Sequence, residues 1–259
     1  MAMGFVTVNG RNIHYQFPAP AEARVRQGRK VLMVHGAFDN HRVWRHQHAY
    51  LEREHTPLSI DLPGHGESQG PAIDDPALFR EFIKAFVDVM DLPPFVFAGH
   101  SMGGSMALDY AIHHPEDVEG LILVGAGAQW DMPAEDLKLW KSDPDRAHRE
   151  NIGLLVSRKT PRRIVDDYAK QLTGQGPEAC IADFLNCDRY DLLGRIGEIQ
   201  VPTLVAAGDE EEWIESSRQI HASAMNTTFE IIPVAGHAVM IEQPALLNEV
   251  IGVYLARLP

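Results

Sequence analysis

The sequence contains a serine, a histidine and a run of carboxylates in an order that suits nucleophilic catalysis. Ser101 stands in GHSMG, residues 99–103, which fits the pattern G-x-S-x-G. A serine hydroxyl is a weak nucleophile and needs a neighbouring base. His237 is the candidate base, and an acid that orients its imidazole is expected between the two in the chain. The run at 209–212, one aspartate followed by three glutamates, supplies four candidates.

The turn at Ser101 must hold the hydroxyl where a substrate can reach it. The apolar run PFVFA precedes the turn and a helical pattern follows it, so the sequence predicts a sharp turn from strand to helix. A side chain at either glycine of the motif would collide with the neighbouring strand or helix. In the alternative interpretation the turn is an ordinary glycine-rich one, and Ser101 merely caps the helix. For His237 the alternative is a polar loop residue.

Two backbone amides are candidates to stabilise the negative oxygen of a tetrahedral intermediate. The Met102 N–H follows the serine at the start of the helix. A second donor is expected from HGAFDN, residues 35–40, after the first core strand. Ala37 and Phe38 both suit that position. Spacing alone does not choose between them, nor among Asp209 and the three glutamates that follow it.

Short apolar runs and helical patterns alternate along the chain, which is typical of a doubly wound, mostly parallel sheet, here of eight strands. Asn9-Gly10 predicts a hairpin turn near the start. Between about 130 and 199 the sequence predicts several helices and no strand. Residues 130–199 are therefore expected to form a helical cap inserted after the sixth strand, with 1–129 and 200–259 forming the core. The predicted strands are the hairpin at 4–17 and the runs 30–36, 57–64, 94–101, 120–127, 202–209 and 229–236; the predicted helices are 41–54, 76–92, 103–114, 134–141, 146–158, 161–172, 177–187, 213–224 and 244–257.

The composition is that of an ordinary soluble globular protein, with 45% hydrophobic and 23% charged residues. A formal net charge of -13 makes the chain a poor candidate for binding nucleic acid or an anionic membrane surface. Cys180 and Cys187 are the only cysteines, so no disulfide framework is expected. The N-terminal residues lack the pattern of a signal peptide, and no apolar run approaches the roughly 20 residues that span a bilayer. A cytoplasmic location is expected.

These motifs together resemble the α/β-hydrolase fold family, specifically its small, cap-bearing serine hydrolases. The resemblance covers essentially the whole chain, and the motifs follow the family's order. It implies that Ser101 is the nucleophile and His237 the general base and acid. It also implies that the Ala37 and Met102 amides form the oxyanion hole. The segments that carry it are VLMVHGAFDN, SIDLPGHGESQG, FAGHSMGG, VPTLVAAGDEEE and VAGHAVMIEQP.

The acid is the point at which the sequence departs from the family. The resemblance places the acid three positions after the glycine that closes its strand, which is Glu211 here, whereas the family more often has Asp. Glu is one methylene longer and must approach His237 from a different angle. Asp209 is the second choice for the acid, and Asp131, after the preceding strand, is the third.

The resemblance implies hydrolysis of a carboxylic ester, or a related acyl bond, in a small to medium apolar substrate through an acyl-enzyme. Thioesterase, enol-lactone hydrolase and carbon–carbon bond hydrolase activities are alternatives on the same triad, as is a ligand-binding protein on the hydrolase scaffold. No metal or organic cofactor is expected, and the histidines between 41 and 55 are not expected to bind metal. The oligomeric state is left open. The apolar residues expected near the site, either as substrate contacts or as ordinary packing, are Phe38, Trp130, Trp213 and Val239.

Overall fold

A single sheet forms the centre of the computed structural model, which describes residues 2–18, 28–172 and 174–259. Its strands are β1 (Ala2–Val8), β2 (Arg11–Phe17), β3 (Lys30–Val34), β4 (Thr56–Ile60), β5 (Phe95–His100), β6 (Val118–Val124), β7 (Thr203–Gly208) and β8 (Thr227–Ile232). They are ordered β1-β2-β4-β3-β5-β6-β7-β8. The β1–β2 and β2–β4 pairs are antiparallel, and the other neighbouring pairs are parallel. The predicted mostly parallel, eight-stranded sheet is confirmed.

The N-terminal hairpin turns at Asn9 and Gly10, as the sequence predicts. Both residues have positive φ angles, 49° and 78°. Positive φ at both central residues is what a two-residue type I′ turn requires. The turn sets the register in which Val8 pairs with Arg11.

Strand β5 shows how the centre of the sheet is buried on both faces. All six of its residues are buried, and successive side chains point to opposite sides of the sheet. Phe95 and Phe97 belong to one hydrophobic cluster, whereas Val96 and Ala98 belong to the other. The strand that leads into Ser101 is therefore packed from both sides.

Helices cover both faces of the sheet, and the second of them, Pro76–Val89, shows the amphipathic pattern most clearly. Its Phe79, Phe82 and Phe86 are buried on one side, and Asp75 caps its N-terminus by accepting hydrogen bonds from two backbone amides. The helices are α1 (Arg45–Leu51), α2 (Pro76–Val89), α3 (Met102–His113), α4 (Ala134–Ser142), α5 (Pro144–Leu155), α6 (Arg162–Leu172), α7 (Pro177–Asp188), α8 (Ile214–Ser223), α9 (Val239–Glu242) and α10 (Pro244–Arg257), with short 3-10 helices at His41–Trp44, Pro115–Asp117 and Leu193–Glu198.

Several element boundaries differ from those predicted, and two of the differences have a clear local cause. The strand expected at 229–236 ends at Ile232, because Pro233 follows and Val234 has a φ of 58°, which leaves the extended conformation. The helix expected at 41–54 is divided into a 3-10 helix and α1. The division falls at Trp44, whose φ of -88° and ψ of 5° interrupt the helical geometry.

A helical insertion, defined as residues 130–199, separates β6 from β7. Its described residues form α4, α5, α6 and α7 and the 3-10 helix Leu193–Glu198. A bridge joins Gln129, the residue before the insertion, to Asp191 near its C-terminal end. Beside that bridge, the Leu192 N–H donates to the Ala128 carbonyl at 2.9 Å. Within the ranges that the structure describes, no helix has the length and apolar character needed to cross a membrane.

Candidate active site

Ser101 occupies a strained turn between β5 and α3. Its φ is 53° and its ψ is -119°. Residues with side chains rarely adopt this conformation, and those that do cluster at functional sites. The Ser101 N–H donates to the Val124 carbonyl at 3.0 Å, and the Ser101 carbonyl accepts from the Gly104 N–H at 2.8 Å. Ser101 is partly exposed although His100 and Met102 on either side are buried. The turn therefore presents the serine side chain outward from a buried backbone.

The glycines of GHSMG are required by close backbone contacts. A Cβ at Gly99 would lie 2.2 Å from the Gly103 carbonyl oxygen. A Cβ at Gly103 would lie 2.5 Å from the carbonyl oxygens of Val34 and His35. Because these contacts are with backbone, no side-chain rotation could relieve them.

His237 is held against the serine turn and paired with Glu211. Its Nδ1 lies 2.7 Å from Glu211 Oε1, and both side chains are almost completely buried. A carboxylate oxygen accepts here, so Nδ1 carries the hydrogen, and in the neutral imidazole Nε2 then has the free electron pair. The His100 ring, next to Ser101 in the chain, packs on the His237 ring with a centroid distance of 4.7 Å. This arrangement gives the imidazole the tautomer that a general base needs.

The other candidate acids do not contact His237 through any hydrogen bond that the structure describes. Asp209 is exposed, and its Oδ1 accepts from the Ala235 N–H at 3.3 Å. Glu210 accepts hydrogen bonds from Lys159 and Ser157, which lower the pKa of its carboxyl. Glu212 and Asp131 are exposed. Of the five candidates, the structure brings Glu211 to the imidazole.

The loop after β3 lies beside the serine. A Cβ at Gly36 would approach the Ser101 Cβ to 2.9 Å, which places the following residue, Ala37, next to the turn. The Phe38 N–H donates instead to Asp183 Oδ2 at 2.7 Å. Spacing left the Ala37 and Phe38 amides as candidates for the second oxyanion donor, and the Phe38 N–H is already hydrogen-bonded. Met102 is the first residue of α3, where backbone N–H groups have no partner within the helix.

Glu242 stabilises the loop that carries His237 through hydrogen bonds. Its Oε2 accepts from the Gly236 N–H at 2.8 Å, and its Oε1 accepts from the Ser157 N–H at 2.7 Å. The Ala238 N–H also donates to the Leu155 carbonyl, at 2.9 Å. The histidine loop is thus attached to the helical insertion on both sides of the imidazole. Glu242 falls within the quoted motif VAGHAVMIEQP, but its stabilising role was not predicted.

The pKa values of two histidines near the site are shifted in opposite directions. His35 donates from Nδ1 to the Gly36 carbonyl and accepts from the Leu62 N–H at Nε2, so it is neutral. Burial, together with the nearby His65, lowers the pKa of His35 to about 4. Burial also opposes the charge of His65, but the carboxylate of Asp183 outweighs it and raises the pKa of His65.

A buried cluster of His14, His41 and Asp61 brings three metal-ligand atoms within 4.8 Å of one another. The Asp61 carboxylate accepts from His14 Nδ1 at 2.9 Å and from His41 Nδ1 at 2.8 Å. It also accepts from the backbone amides of His41 and Glu67. Burial opposes ionisation of this carboxyl, but the imidazoles outweigh it and hold its pKa well below the usual range. The hydrogen bonds satisfy both carboxylate oxygens without an ion.

The residues predicted as substrate contacts lie in different surroundings. Trp213 packs edge-on to the His237 ring with a centroid distance of 5.0 Å. Phe38 stacks on Trp140 of α4 at 4.6 Å. The Trp130 Nε1–H donates to Ser105 Oγ at 2.8 Å, which ties this side chain to α3. Val239 is completely buried within the core.

Comparisons with known proteins give the family and the fold of the chain. A family model described as the alpha/beta hydrolase family matches residues 31–250. The chain is 26% identical over 274 residues to monoacylglycerol lipase ABHD6 of Bos taurus, covering 95% of this chain and 81% of that protein. The structure of the enol-lactonase from Burkholderia xenovorans is similar with a TM-score of 0.91 at 18% identity, covering 98% of this chain and 100% of that one. A thermophilic esterase from Thermogutta terrifontis gives a TM-score of 0.87 at 23% identity, covering 100% and 99%.

Proposed function

We propose that this chain, which belongs to the α/β-hydrolase family, is a serine hydrolase that cleaves the carboxylic ester bond of a small to medium apolar substrate. Membership of the family makes the chain a hydrolase. The proposal goes further and assigns Ser101 as nucleophile, His237 as base and Glu211 as orienting acid. One observation carries it: the 2.7 Å hydrogen bond between Glu211 and His237 beside the turn that presents Ser101.

The first half-reaction forms an acyl-enzyme. His237 Nε2 takes the Ser101 proton as Oγ attacks the ester carbonyl carbon. The carbonyl oxygen becomes an oxyanion, which accepts hydrogen bonds from the Ala37 and Met102 N–H groups. The intermediate collapses, the bond to the alkoxy oxygen breaks, and the imidazolium donates its proton to the departing alcohol.

The second half-reaction releases the acid. His237, neutral again, takes a proton from water as the water oxygen attacks the acyl carbon. A second oxyanion forms and is stabilised by the same two amides. On collapse the bond to Ser101 Oγ breaks, and the serine recovers its proton from the imidazolium. The Glu211 carboxylate stays ionised throughout and stabilises the imidazolium in both halves.

The helical insertion is proposed to act as the cap that shapes the acyl pocket. Phe38 and Trp140 form a stacked aromatic pair between the loop after β3 and α4. Trp213 packs on the His237 ring, where it could contact the leaving group. Trp130 and the buried Val239 would support the pocket walls from behind. This lining suits an apolar acyl chain.

Covalent labelling tests the proposal directly. A fluorophosphonate probe is expected to modify Ser101 of the wild-type protein but not the Ser101→Ala variant, and to modify His237→Ala slowly. In parallel, p-nitrophenyl esters of increasing acyl length, thioesters and lactones should be compared for turnover. Esters, thioesters and lactones would all react through the same triad. The relative rates on the three therefore show which bond the enzyme prefers. A wild-type protein that is neither labelled nor active on any of these compounds would contradict the proposal and favour a ligand-binding role.

A further inference from the structure

The carboxylate of Asp183 reaches from the helical insertion to the loop that supplies the first oxyanion amide. Asp183 lies in α7, and its Oδ2 accepts the 2.7 Å hydrogen bond from the Phe38 N–H. The same oxygen accepts a second hydrogen bond, of 2.9 Å, from His65 Nε2. The side chains of Asp183 and His65 are completely buried. The proposed chemistry uses neither residue, so this buried pair needs another explanation.

The partners of His65 define its charge. Its Nδ1 faces the Pro63 carbonyl oxygen at 3.1 Å, and its Nε2 faces the ionised Asp183 carboxylate. Both partners can only accept, so both ring nitrogens carry hydrogen and the ring is an imidazolium. The pair therefore places a fixed negative charge, held by its own counter-ion, against the Phe38 amide. A charge-assisted hydrogen bond of this kind is stronger than a neutral one.

The backbone at Phe38 needs such support. Its φ is 66°, in the left-handed region that residues with side chains rarely adopt. Such a conformation persists only where the surrounding structure holds it. Here the insertion holds it twice, through Asp183 on the amide and through Trp140 on the ring.

The next residue of the loop is held in the same manner. Asp39 Oδ2 accepts from the Tyr168 hydroxyl at 3.0 Å, and Asp39 Oδ1 accepts from Gln171 Nε2 at 2.6 Å. Tyr168 and Gln171 both lie in α6. Three helices of the insertion, α4, α6 and α7, therefore contact the two residues that follow Ala37.

We propose that Asp183 is a positioning residue for the oxyanion hole. By binding the Phe38 N–H it fixes the peptide between Ala37 and Phe38, and so directs the preceding Ala37 N–H towards the reacting carbonyl. The hole is then complete only when the insertion is seated on the core. This inference rests on the proposed function, because the Ala37 amide has a catalytic role only in acyl transfer. It gives the insertion a second task besides shaping the pocket.

Three variants test the proposal. Asp183→Leu removes the oxygen that accepts both hydrogen bonds, whereas the side-chain oxygen of Asp183→Asn can still accept from the Phe38 N–H. Cys187→Ala is the matched control, since Cys187 is also buried in α7 but packs in a different cluster from Phe38. Thermal unfolding shows which variants are folded. If Asp183→Leu is not, Asp183→Ser, whose side chain is too short to reach the amide, replaces it.

The first readout is whether each substitution changes kcat or KM for a short p-nitrophenyl ester. Misplacing a catalytic group by about 1 Å costs up to about 100-fold, so kcat of Asp183→Leu is expected to fall about 10- to 100-fold while KM changes less than about 3-fold. Asp183→Asn should recover most of the lost kcat, and Cys187→Ala should keep the wild-type value. A structural role alone would not produce a kcat loss that Asn rescues.

The second readout does not depend on turnover. Hydrogen exchange of the backbone amides at 36–39 should be faster in Asp183→Leu than in wild type, and unchanged in Cys187→Ala. Wild-type kcat or unchanged exchange in Asp183→Leu overturns the inference, as does an Asn variant as slow as the Leu variant. If the wild-type protein neither turns over esters nor labels at Ser101, the proposed function is wrong. The exchange measurement then decides by itself whether Asp183 holds the loop.

Discussion

Replacing Glu211 by glutamine removes the negative charge that faces Nδ1 of His237 and changes the size of the side chain very little. The two side chains have almost the same size, and Glu211 is buried against His237 at 2.7 Å. The Glu211→Gln variant can therefore keep the packing while losing the attraction between carboxylate and imidazolium. The expected result is a large loss of kcat with little change in fold.

The magnitude follows from the geometry. Both charges are delocalised, so their centres lie about 4 Å apart, and at an effective dielectric constant of about 20 their interaction is about 4 kcal/mol. Because each 1.36 kcal/mol is about tenfold in rate, kcat should fall about 1,000-fold. The loss would be larger if the amide turned its NH2 group towards Nδ1, since the imidazole would then adopt the wrong tautomer.

The assay is steady-state turnover of a short p-nitrophenyl ester, with thermal unfolding to check that each variant is folded. The control is Asp209→Asn, which changes an exposed carboxylate whose described contact is a 3.3 Å hydrogen bond from the Ala235 amide. It should retain activity within about 3-fold of wild type, as expected for a solvated charge outside the site. The reasoning is refuted if Asp209→Asn inactivates the enzyme while Glu211→Gln keeps more than about a tenth of the wild-type kcat.

Three further predictions concern the supporting structure. Gly103→Ala places a Cβ 2.5 Å from the backbone oxygens of Val34 and His35, so ester turnover should fall about 100-fold. Gly153→Ala, whose Cβ meets nothing within 4 Å, should keep full turnover, and equal activity of the two variants would contradict the argument. Burial raises the pKa of Asp39 to about 6 from 3.8, so between these pH values the folded state binds a proton that the unfolded state does not. The stability that this protonation gives is present at low pH and is lost as the pH rises through about 6. The unfolding free energy of Asp39→Asn relative to wild type should therefore increase by about 2 kcal/mol from about pH 4 to pH 7. Urea titrations that show a constant difference would refute the assignment. Glu242→Ala leaves the buried amides of Ser157 and Gly236 without their acceptor, which should lower the unfolding free energy by about 2–5 kcal/mol; Glu242→Gln should restore part of it, and an unchanged urea midpoint in Glu242→Ala would show that water replaces the carboxylate.

The sequence predicts the serine turn well because its determinants are local. An apolar strand, two glycines and a following helix lie within a few residues of Ser101, and each can be recognised from its neighbours. The end of β8 is also set locally, yet it was predicted too late, because an apolar valine followed the strand. Val234 in fact has a positive φ and belongs to the turn.

The supporting contacts could not be predicted because their partners are far apart in the chain. Asp183 and Phe38 are separated by 145 positions, and Asp183 and His65 by 118. Neither spacing nor composition indicates that an acidic residue in a helix of the insertion will bind an amide after β3. The choice between the Ala37 and Phe38 amides depends on that contact, so it too needed the three-dimensional structure or the family resemblance.

The closed base of the helical insertion has a consequence for how such a protein can change. The chain leaves the sheet at the end of β6 and returns to it at β7. Between these strands, the described backbone at 128–129 is joined to that at 191–192 by a bridge and a hydrogen bond. A segment that starts and ends at one place can be exchanged for another without altering strand order or the turn at Ser101. New substrate ranges could thus evolve by replacement of one contiguous block, provided that the incoming block again supplies an acceptor for the Phe38 amide. Chimeras that carry a foreign insertion, with and without such an acidic residue, would show whether substrate range and catalytic rate can change independently.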